Sequence, residues 1–498
     1  MNISLVLQMA ADTYPDRVAL THNGVHFTYG QIYSAAMAAA ARIADSGADY
    51  VSCLGESSPA TVIALFGAAM AGRPFAPLNY RLTVPETNRL IERLAPVYLI
   101  ADAEKVPTIA EGATRALHSG EDFLAAVMSG GPAEWDVPQD EEGVAVQLFT
   151  SGTTGEPKAA LLRNQNLLGY VLGTVEFASA EEDEATLVSV PPYHIAGISA
   201  ILSSIYAMRR IVQLPQFSPA EWLAQCCTQR VTNAFVVPTM LSRIIDHIDE
   251  TGSHPDLGAL RALAFGGGKM PLPVVERALT LFPHVAFANA YGLTETSSTI
   301  ALLGPEDHRQ AHGHPDALIA RRLDSVGKPL PTVEVEIRDE EGKPLGPDQM
   351  GEVFVRGPQV SGEYHGRKLT DEEGWFPTRD AGFLDKDGFL FLAGRIDDVI
   401  VRGGENISPG EVEKVLREHS AVQDVAVIGV PSVEWGETLA AAVVCKPEAA
   451  VSVDELKDLV RRQLRSSRVP EHVRFLDALP YNEMGKLLRR NVKAFFAG

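Results

Sequence analysis

The chain has 498 residues, 46% of them hydrophobic, and 43 Lys+Arg against 64 Asp+Glu give it a formal net charge of −21. That length supports about three domains of about 150 residues each, and the apolar content excludes a disordered chain. The negative balance argues against nucleic acid or an anionic membrane as a main partner, so a polyanionic substrate needs a locally basic site.

The N-terminal stretch from Met1 to Arg17 has no basic region ahead of an apolar core, and no run of about 18 apolar residues follows, so neither a signal peptide nor an integral membrane segment is expected. The four cysteines (Cys53, Cys226, Cys227 and Cys445) show no C-x-x-C spacing and read as reduced thiols of a cytoplasmic protein. Residues 1 to about 140 alternate helical and strand patterns. An Ala-rich helix is expected over about 30–45, and a second over about 59–71 with Gly72 as its cap. Ala76-Pro77-Leu78-Asn79 reads as a short strand and turn, and Thr83 with Glu86 as a capping box. Strands are expected near 144–149, 186–190, 210–214, 233–238, 261–265 and 285–290, with helices between them, one opened by a capping box at Ser218 and Glu221 with Pro219 at the first helical position. Such alternation predicts parallel sheets covered by helices on both faces.

From about residue 325 to 393 the texture changes to a small, mostly antiparallel unit, with hairpin turns at Glu341-Gly342 and Asp387-Gly388. The last hundred residues return to an α/β pattern. Ser408-Pro409-Gly410-Glu411 is expected to cap a helix, strands follow at about 423–429 and 439–445, and Ser452 with Glu455 opens another helix before a strand at about 472–476.

The ten residues FTSGTTGEPK, Phe149 to Lys158, follow the buried run that starts at Val144. Gly152 and Gly155 allow sharp turns and a close approach to a ligand. The hydroxyls of Thr150, Ser151, Thr153 and Thr154, the loop amides and the Lys158 ammonium together suit phosphate oxygens. The spacing is not that of a Walker A loop. Tyr291-Gly292-Leu293-Thr294-Glu295 lies just past a strand end, where open α/β sheets bind ligands. There an aromatic ring can stack on a purine, and a glutamate can hold Mg²⁺ on phosphates. The carboxylate of Asp380 can accept bonds from ribose hydroxyls, and Arg402-Gly403-Gly404-Glu405-Asn406 is a glycine loop that a thin ligand arm can approach.

These motifs, in this order, resemble the adenylate-forming superfamily: acyl-CoA synthetases, firefly-type luciferases and peptide-synthetase adenylation domains. The resemblance runs from about residue 5 to 492. It implies an α/β multidomain fold: a large N-terminal domain of two β/α layered subdomains plus a small β-barrel-like unit over 1–393, a hinge at 394–398 centred on Asp397, and a small mobile C-terminal α/β domain over 399–498.

It also implies roles. Tyr291 and Gly292 would line the adenine, Thr294 would contact the α-phosphate, and Glu295 would hold the metal. Asp380 and Arg395 would bind the ribose, and Gly403, Gly404 and Glu405 would line the pantetheine tunnel. Lys486 would bridge carboxylate and α-phosphate, and His194, beside Tyr193, would flank the acyl group. Val236 and Gly266-Gly267-Gly268 would form other pocket walls, with Lys269 as a candidate second cation. Two positions depart from the family pattern: Arg379 stands where members have glycine, and Asn482-Glu483-Met484 replaces small or hydroxyl residues before Gly485-Lys486.

The expected activity is an AMP-forming acyl-CoA synthetase that takes ATP, Mg²⁺, coenzyme A and an apolar fatty or aryl carboxylic acid. A homodimer is compatible with a chain of this class. The alternatives are an acyl-AMP ligase that delivers to a carrier protein and a non-catalytic acyl- or nucleotide-binding relative, which would have lost Lys486 or Glu295.

Overall fold

The computed structural model describes residues 1–498 except 111, 131–133, 151–156, 253–254, 404, 448, 483–486 and 497–498, and the backbone alone of 406. Its contacts divide the chain into two units. The first comprises Met1–Leu323, Lys328–Glu334 and Val355–Phe376; the second comprises Asp324–Gly327, Val335–Phe354 and Pro377–Gly498.

The apolar runs expected as strands in the first unit assemble, among the described residues, into a nine-stranded sheet. Its order is Lys328–Pro329, Ser298–Leu303, Ala286–Leu293, Ala262–Gly266, Asn233–Val236, Ala185–Val188, Arg210–Gln213, Val18–His22, Val25–Thr28. The six strands from Ala286–Leu293 to Val18–His22 are parallel, and antiparallel pairs close both edges. After Ala185–Val188 the chain adds the next strand on one side and the following one on the other. This reversal is a topological switch point, where such sheets open a crevice at their carboxyl ends.

A second sheet region pairs Tyr50–Leu54, Val97–Ala101 and Thr114–Ser119 in parallel, and Val144–Thr150 with Lys158–Arg163 antiparallel. Phe75 bridges the two groups through Val51 and Val146. Ala76 and Leu78 donate backbone bonds to Val51 and Cys53 (2.8 Å each), yet Ala76–Asn79 is not a strand; Pro77 has no N–H to continue a ladder. The Ala-rich helix Tyr29–Ser46 opens on a complete Thr28/Gln31 capping box and packs on Pro59–Met70. A Cβ on Gly67 would lie 2.7 Å from the Ala39 Cβ, so glycine allows this close helix crossing. The capping boxes expected at Thr83/Glu86 and Ser452/Glu455 are both present, whereas the one expected at Ser218/Glu221 is half formed: Ser218 accepts from the Glu221 amide, and the Glu221 carboxylate accepts from Gln225 at 2.8 Å instead of reaching back.

In the second unit a four-stranded sheet runs Glu334–Arg338, Gly351–Arg356, Phe376–Leu384, Leu390–Arg395, with Gly342 (φ 80°) and Gly388 (φ 81°) at its turns. The chain then forms the helix Pro409–Arg417, the long hairpin Val422–Ser432 with Gly436–Cys445, the helix Val453–Gln463 and the strand His472–Phe475, parallel to Gly436–Cys445. Ser408 does not cap its helix as expected. Its hydroxyl donates instead to the Ala393 carbonyl at 2.6 Å and ties the helix start to the preceding strand. Among the described residues no helix is long and apolar enough to cross a membrane.

Candidate active site

The parallel strands of the first unit end in register. Val188 lies beside Phe235, Val236 beside Phe265, and Gly266 beside Ala290. The ends of these strands and the segments that follow them carry Tyr193 and His194, Val236, Gly266 to Gly268, and Tyr291 to Glu295, so four separately read motifs share one carboxyl edge.

Ser151, Gly152, Thr153, Thr154 and Gly155 lie outside the described residues, but both stems of their loop are fixed. Thr150 pairs with Lys158 and Phe149 with Ala159. The Arg93 guanidinium sits 5.2 Å from the centre of the Phe149 ring and donates to the Pro157 carbonyl at 2.9 Å, so one side chain touches both stems. Lys158 is exposed, with its ammonium 6.0 Å from the Tyr364 ring centre.

Thr294 and Glu295 form a single turn, Thr294–Thr296, at the end of Ala286–Leu293. A bulge at Tyr291/Gly292 re-aims the chain there, and Gly292 tolerates no side chain, because a Cβ would fall 1.8 Å from the Ser298 carbonyl oxygen. The Glu295 carbonyl accepts from the Ser361 and Gly362 amides (2.9 and 3.1 Å), and its carboxylate accepts a short bond from the Tyr364 hydroxyl. Fully buried Gln359 donates to the Thr296 and Thr299 carbonyls (3.0 and 2.7 Å). Ser297 (φ 54°) and Ser298 (φ 125°) take conformations that cost a non-glycine residue about 1–3 kcal/mol each. Strain of this kind, held by buried partners, is typical of functional turns.

At the acyl side, the Tyr193 ring packs 4.5 Å from His194 and edge-on to Tyr80 at 5.7 Å. His194 is half-buried and stands at the N-cap of the helix Ile195–Ala207. Gly197 lets that helix approach the Pro191 carbonyl, which would lie 2.4 Å from a Cβ. Val236 is fully buried, Gly266 backs onto the Ala290 carbonyl, and Gly267, Gly268 and Lys269 are exposed.

In the second unit Asp380 and Arg395 are partners across antiparallel strands, and the Arg395 guanidinium donates to Asp380 Oδ1 at 3.0 Å and to the Thr378 carbonyl at 3.1 Å. The Asp380 amide donates to Thr378 Oγ1, which in turn donates to the Val353 carbonyl. Arg379 adopts φ 62°, the left-handed conformation a glycine would take freely, so the departure at this position keeps the turn. Its side chain pairs with Asp397 at 2.7 Å. Gly403 (φ 57°) donates its amide to the Trp435 carbonyl and faces the Trp435 ring, while Glu405 pairs with Arg468. The neighbouring guanidinium holds the Glu405 carboxyl below its ordinary range. Gly404 and Lys486 lie outside the described residues.

With this arrangement established, comparison with known proteins is decisive. The sequence profile described as AMP-binding enzyme matches residues 7–365, and that of the AMP-binding enzyme C-terminal domain matches 411–486. The chain belongs to the AMP-binding enzyme family. A feruloyl-CoA synthase from an Amycolatopsis species is 33% identical over 97% of this chain and 96% of its own length. A 2-succinylbenzoate–CoA ligase from Geobacillus kaustophilus is 34% identical over 98% and 96%. The o-succinylbenzoate CoA synthetase of Bacillus subtilis, solved with its acyl-adenylate, superposes with a TM-score of 0.82 at 29% identity, covering 98% of this chain and 97% of that one. The same synthetase has been solved with ATP and magnesium. This AMP-binding enzyme is therefore an acid–thiol ligase of the AMP-forming class, with the multidomain α/β fold expected of it.

The residues of this AMP-binding enzyme suit Mg²⁺ in one respect that can be checked. Among the described residues no three His, Cys, Asp or Glu side chains cluster to hold a metal. A single carboxylate such as Glu295 is what Mg²⁺ needs when substrate phosphates and water complete its octahedron. Sequence reading missed Tyr364 and Arg93. Tyr364 reaches Glu295 from 69 positions away, and Arg93 reaches Pro157 from 64, so neither pairing leaves a local sequence signal.

Proposed function

We propose that this AMP-binding enzyme is an ATP-dependent acyl-CoA synthetase that works in the cytoplasm on an apolar carboxylic acid, with aryl acids such as hydroxycinnamates ahead of fatty acids. The observation that carries this reading is the common carboxyl edge: Glu295, with the tyrosine–histidine pair and the glycine turn, sits on adjoining strand ends of one sheet. The relatives' named acids favour an aryl substrate.

The chemistry is two half-reactions. The acid's carboxylate oxygen attacks the α-phosphorus of ATP, the bond to the pyrophosphate oxygen breaks, and an acyl-adenylate forms. The obstacle is charge, because two anions must meet, and preorganised cations and N–H groups lower it. Thr294, Lys158 and the 151–156 loop serve the phosphates, Tyr291 and Gly292 the adenine, and Asp380 with Arg395 the ribose. Lys486 joins carboxylate to α-phosphate. Mg²⁺ on Glu295 supplies charge neutralisation when bound. The CoA thiol then attacks the acyl carbonyl and AMP leaves. Gly403, Gly404 and Glu405 admit the pantetheine arm, and a hinge at Asp397, within 394–398, exchanges Lys486 for that loop.

The test is AMP release, with and without CoA, over acetate, hexanoate, octanoate, palmitate, benzoate, cinnamate and malonate. CoA-dependent release with a clear preference for cinnamate or benzoate is the expected result. Acid-dependent pyrophosphate release without a CoA thioester would instead identify a carrier-protein acceptor.

A further inference from the structure

In the first unit, residues 358–364 are held from two sides. One side is the turn that carries Glu295. Gln359 donates to the Thr296 and Thr299 carbonyls, the Ser361 and Gly362 amides to the Glu295 carbonyl, and the Tyr364 hydroxyl to the Glu295 carboxylate.

The other side is the junction of the strand Lys158–Arg163 with the helix Asn164–Thr174. There buried Asn166 donates to the Pro358 carbonyl at 3.0 Å and to the Val360 carbonyl at 3.4 Å. A Cβ on Gly169 would lie 3.1 Å from the Pro358 backbone, so the helix runs close against the start of the segment. Arg163 grips its end. The guanidinium Nε and Nη2 donate to the two carboxylate oxygens of Glu363, at 2.8 Å each, and Nη1 donates to the Glu142 carbonyl.

Strand alternation explains what this grip controls. Successive residues of a strand point to opposite faces. Glu363 and Tyr364 are neighbours, and Lys158 and Arg163 are an odd number of positions apart, so each strand sends one side chain to each face. Arg163 meets Glu363 on one face, and the Lys158 ammonium stands 6.0 Å from the Tyr364 ring centre on the other. The strand Glu363–Tyr364 has two residues and pairs with its neighbour at Ala160, which leaves few backbone bonds to fix its angle. Two parallel N–H···O bonds from a guanidinium fix orientation as well as distance. The Arg163 and Glu363 side chains are 31% and 19% exposed, so breaking the pair should not unfold the unit.

We propose that Arg163 is a positioning residue for the metal: through Glu363 it fixes the strand Glu363–Tyr364, and that strand holds the Glu295 carboxylate in the orientation Mg²⁺ needs. Its action passes through the Tyr364 hydroxyl. This rests on the reading that Glu295 holds the metal.

The experiment uses full-length Arg163→Met, Glu363→Gln, Tyr364→Phe and Glu295→Gln, with the double variant Arg163→Met/Tyr364→Phe. Two readouts do not depend on turnover. Amide hydrogen exchange over residues 357–365 of the metal-free enzyme reports the hold on the segment. Water-proton relaxation, titrated with Mn²⁺ under saturating α,β-methylene-ATP (which cannot release pyrophosphate), reports metal affinity. Pyrophosphate release with cinnamate, or octanoate where the panel prefers it, is followed against magnesium concentration alongside.

Removing a hydrogen-bond partner of a metal ligand costs about 10–100-fold in metal affinity. Arg163 acts one step farther out, so Arg163→Met should weaken Mn²⁺ binding by about fivefold. Exchange at the Ser361 and Gly362 amides should quicken by about the same factor. The kcat at saturating magnesium should stay within about twofold of wild type. Glu363→Gln keeps the size of the side chain and removes its charge. It should weaken Mn²⁺ by about threefold, and it decides the matter if Arg163→Met does not fold. Because both changes act on one hydroxyl, the double variant should bind Mn²⁺ within about twofold of Tyr364→Phe alone.

If Glu295→Gln binds Mn²⁺ as wild type does, the assignment of Glu295 to the metal falls and the inference falls with it. If Glu295→Gln binds weakly while folded Arg163→Met and Glu363→Gln bind as wild type does, the positioning inference alone is overturned. Losses that multiply in the double variant would also overturn it, because Arg163 would then act by a route other than Tyr364.

Discussion

The Tyr364 hydroxyl donates to the carboxylate of Glu295, so the glutamate assigned to the metal is held from the side by an aromatic residue of the strand Glu363–Tyr364. That strand pairs with Lys158–Arg163 at Ala160, which puts Tyr364 next to the stem of the phosphate loop. Its ring lies 6.0 Å from the Lys158 ammonium. A hydrogen bond to a charged group contributes about 1.5–3 kcal/mol. Tyr364→Phe should therefore leave the fold intact and raise the magnesium concentration needed for half-maximal pyrophosphate release by about tenfold. An unchanged magnesium requirement would show that the hydroxyl does not orient Glu295.

Arg379 holds φ 62° and pairs with Asp397, both side chains being about half exposed. Arg379→Gly relieves left-handed strain of about 1 kcal/mol, loosens the unfolded chain by a similar amount and deletes an exposed ion pair of at most about 1 kcal/mol. These effects nearly cancel, so stability should move by less than about 1 kcal/mol in denaturant titration. Asp380 and Arg395 keep their own contacts, and the KM for ATP should stay within about threefold. A tenfold rise would mean that Arg379, and not Asp380 alone, shapes the ribose contact.

Much of this architecture was legible before the structure because its signals are local. Capping boxes at Thr83/Glu86 and Ser452/Glu455 span three residues, and the apolar runs of the parallel sheet mark themselves by composition. The YGLTE turn was legible as a strand end for the same reason. What stayed hidden depends on pairing across the fold. Tyr364 meets Glu295 because one short strand adds to Lys158–Arg163, and Arg489 meets Glu413 across 76 positions. Ser408 read as a cap, but a nearer acceptor at Ala393 took its hydroxyl, a competition that only the packed strand creates.

Gly403 offers a sharper test of the thiol-side loop. Its φ is 57°, and a Cβ would lie 2.9 Å from the Trp435 ring. Trp435 is 41% exposed, so it can swing outward, and the main cost of Gly403→Ala is left-handed strain of about 1–2 kcal/mol. The loop should shift while the rest of the unit stays folded. Thioester formation from supplied acyl-adenylate should fall about tenfold, with adenylation within about twofold of wild type. The reverse pattern would move Gly403 to the first half-reaction.

Glu413 gives the second unit a definite acid response. Its carboxyl sits below the ordinary glutamate value in the folded chain, because Arg489 and Arg417 outweigh the opposing effect of burial. The unfolded state therefore binds this proton more readily, and the stability from the pair is fully present above the ordinary value and lost as pH falls through the folded one. Glu413→Gln removes the charge at every pH and leaves Arg489 buried without its 2.6 Å partner, at a cost of about 3 kcal/mol near neutrality. The thermal midpoints of wild type and variant should accordingly be furthest apart near about pH 7 and draw together as pH falls below the ordinary glutamate value and through the folded one. Other acidic groups titrate in both proteins and cancel in the difference. A gap that stays constant as the solution is acidified would show that the Glu413 charge contributes no pH-dependent stability.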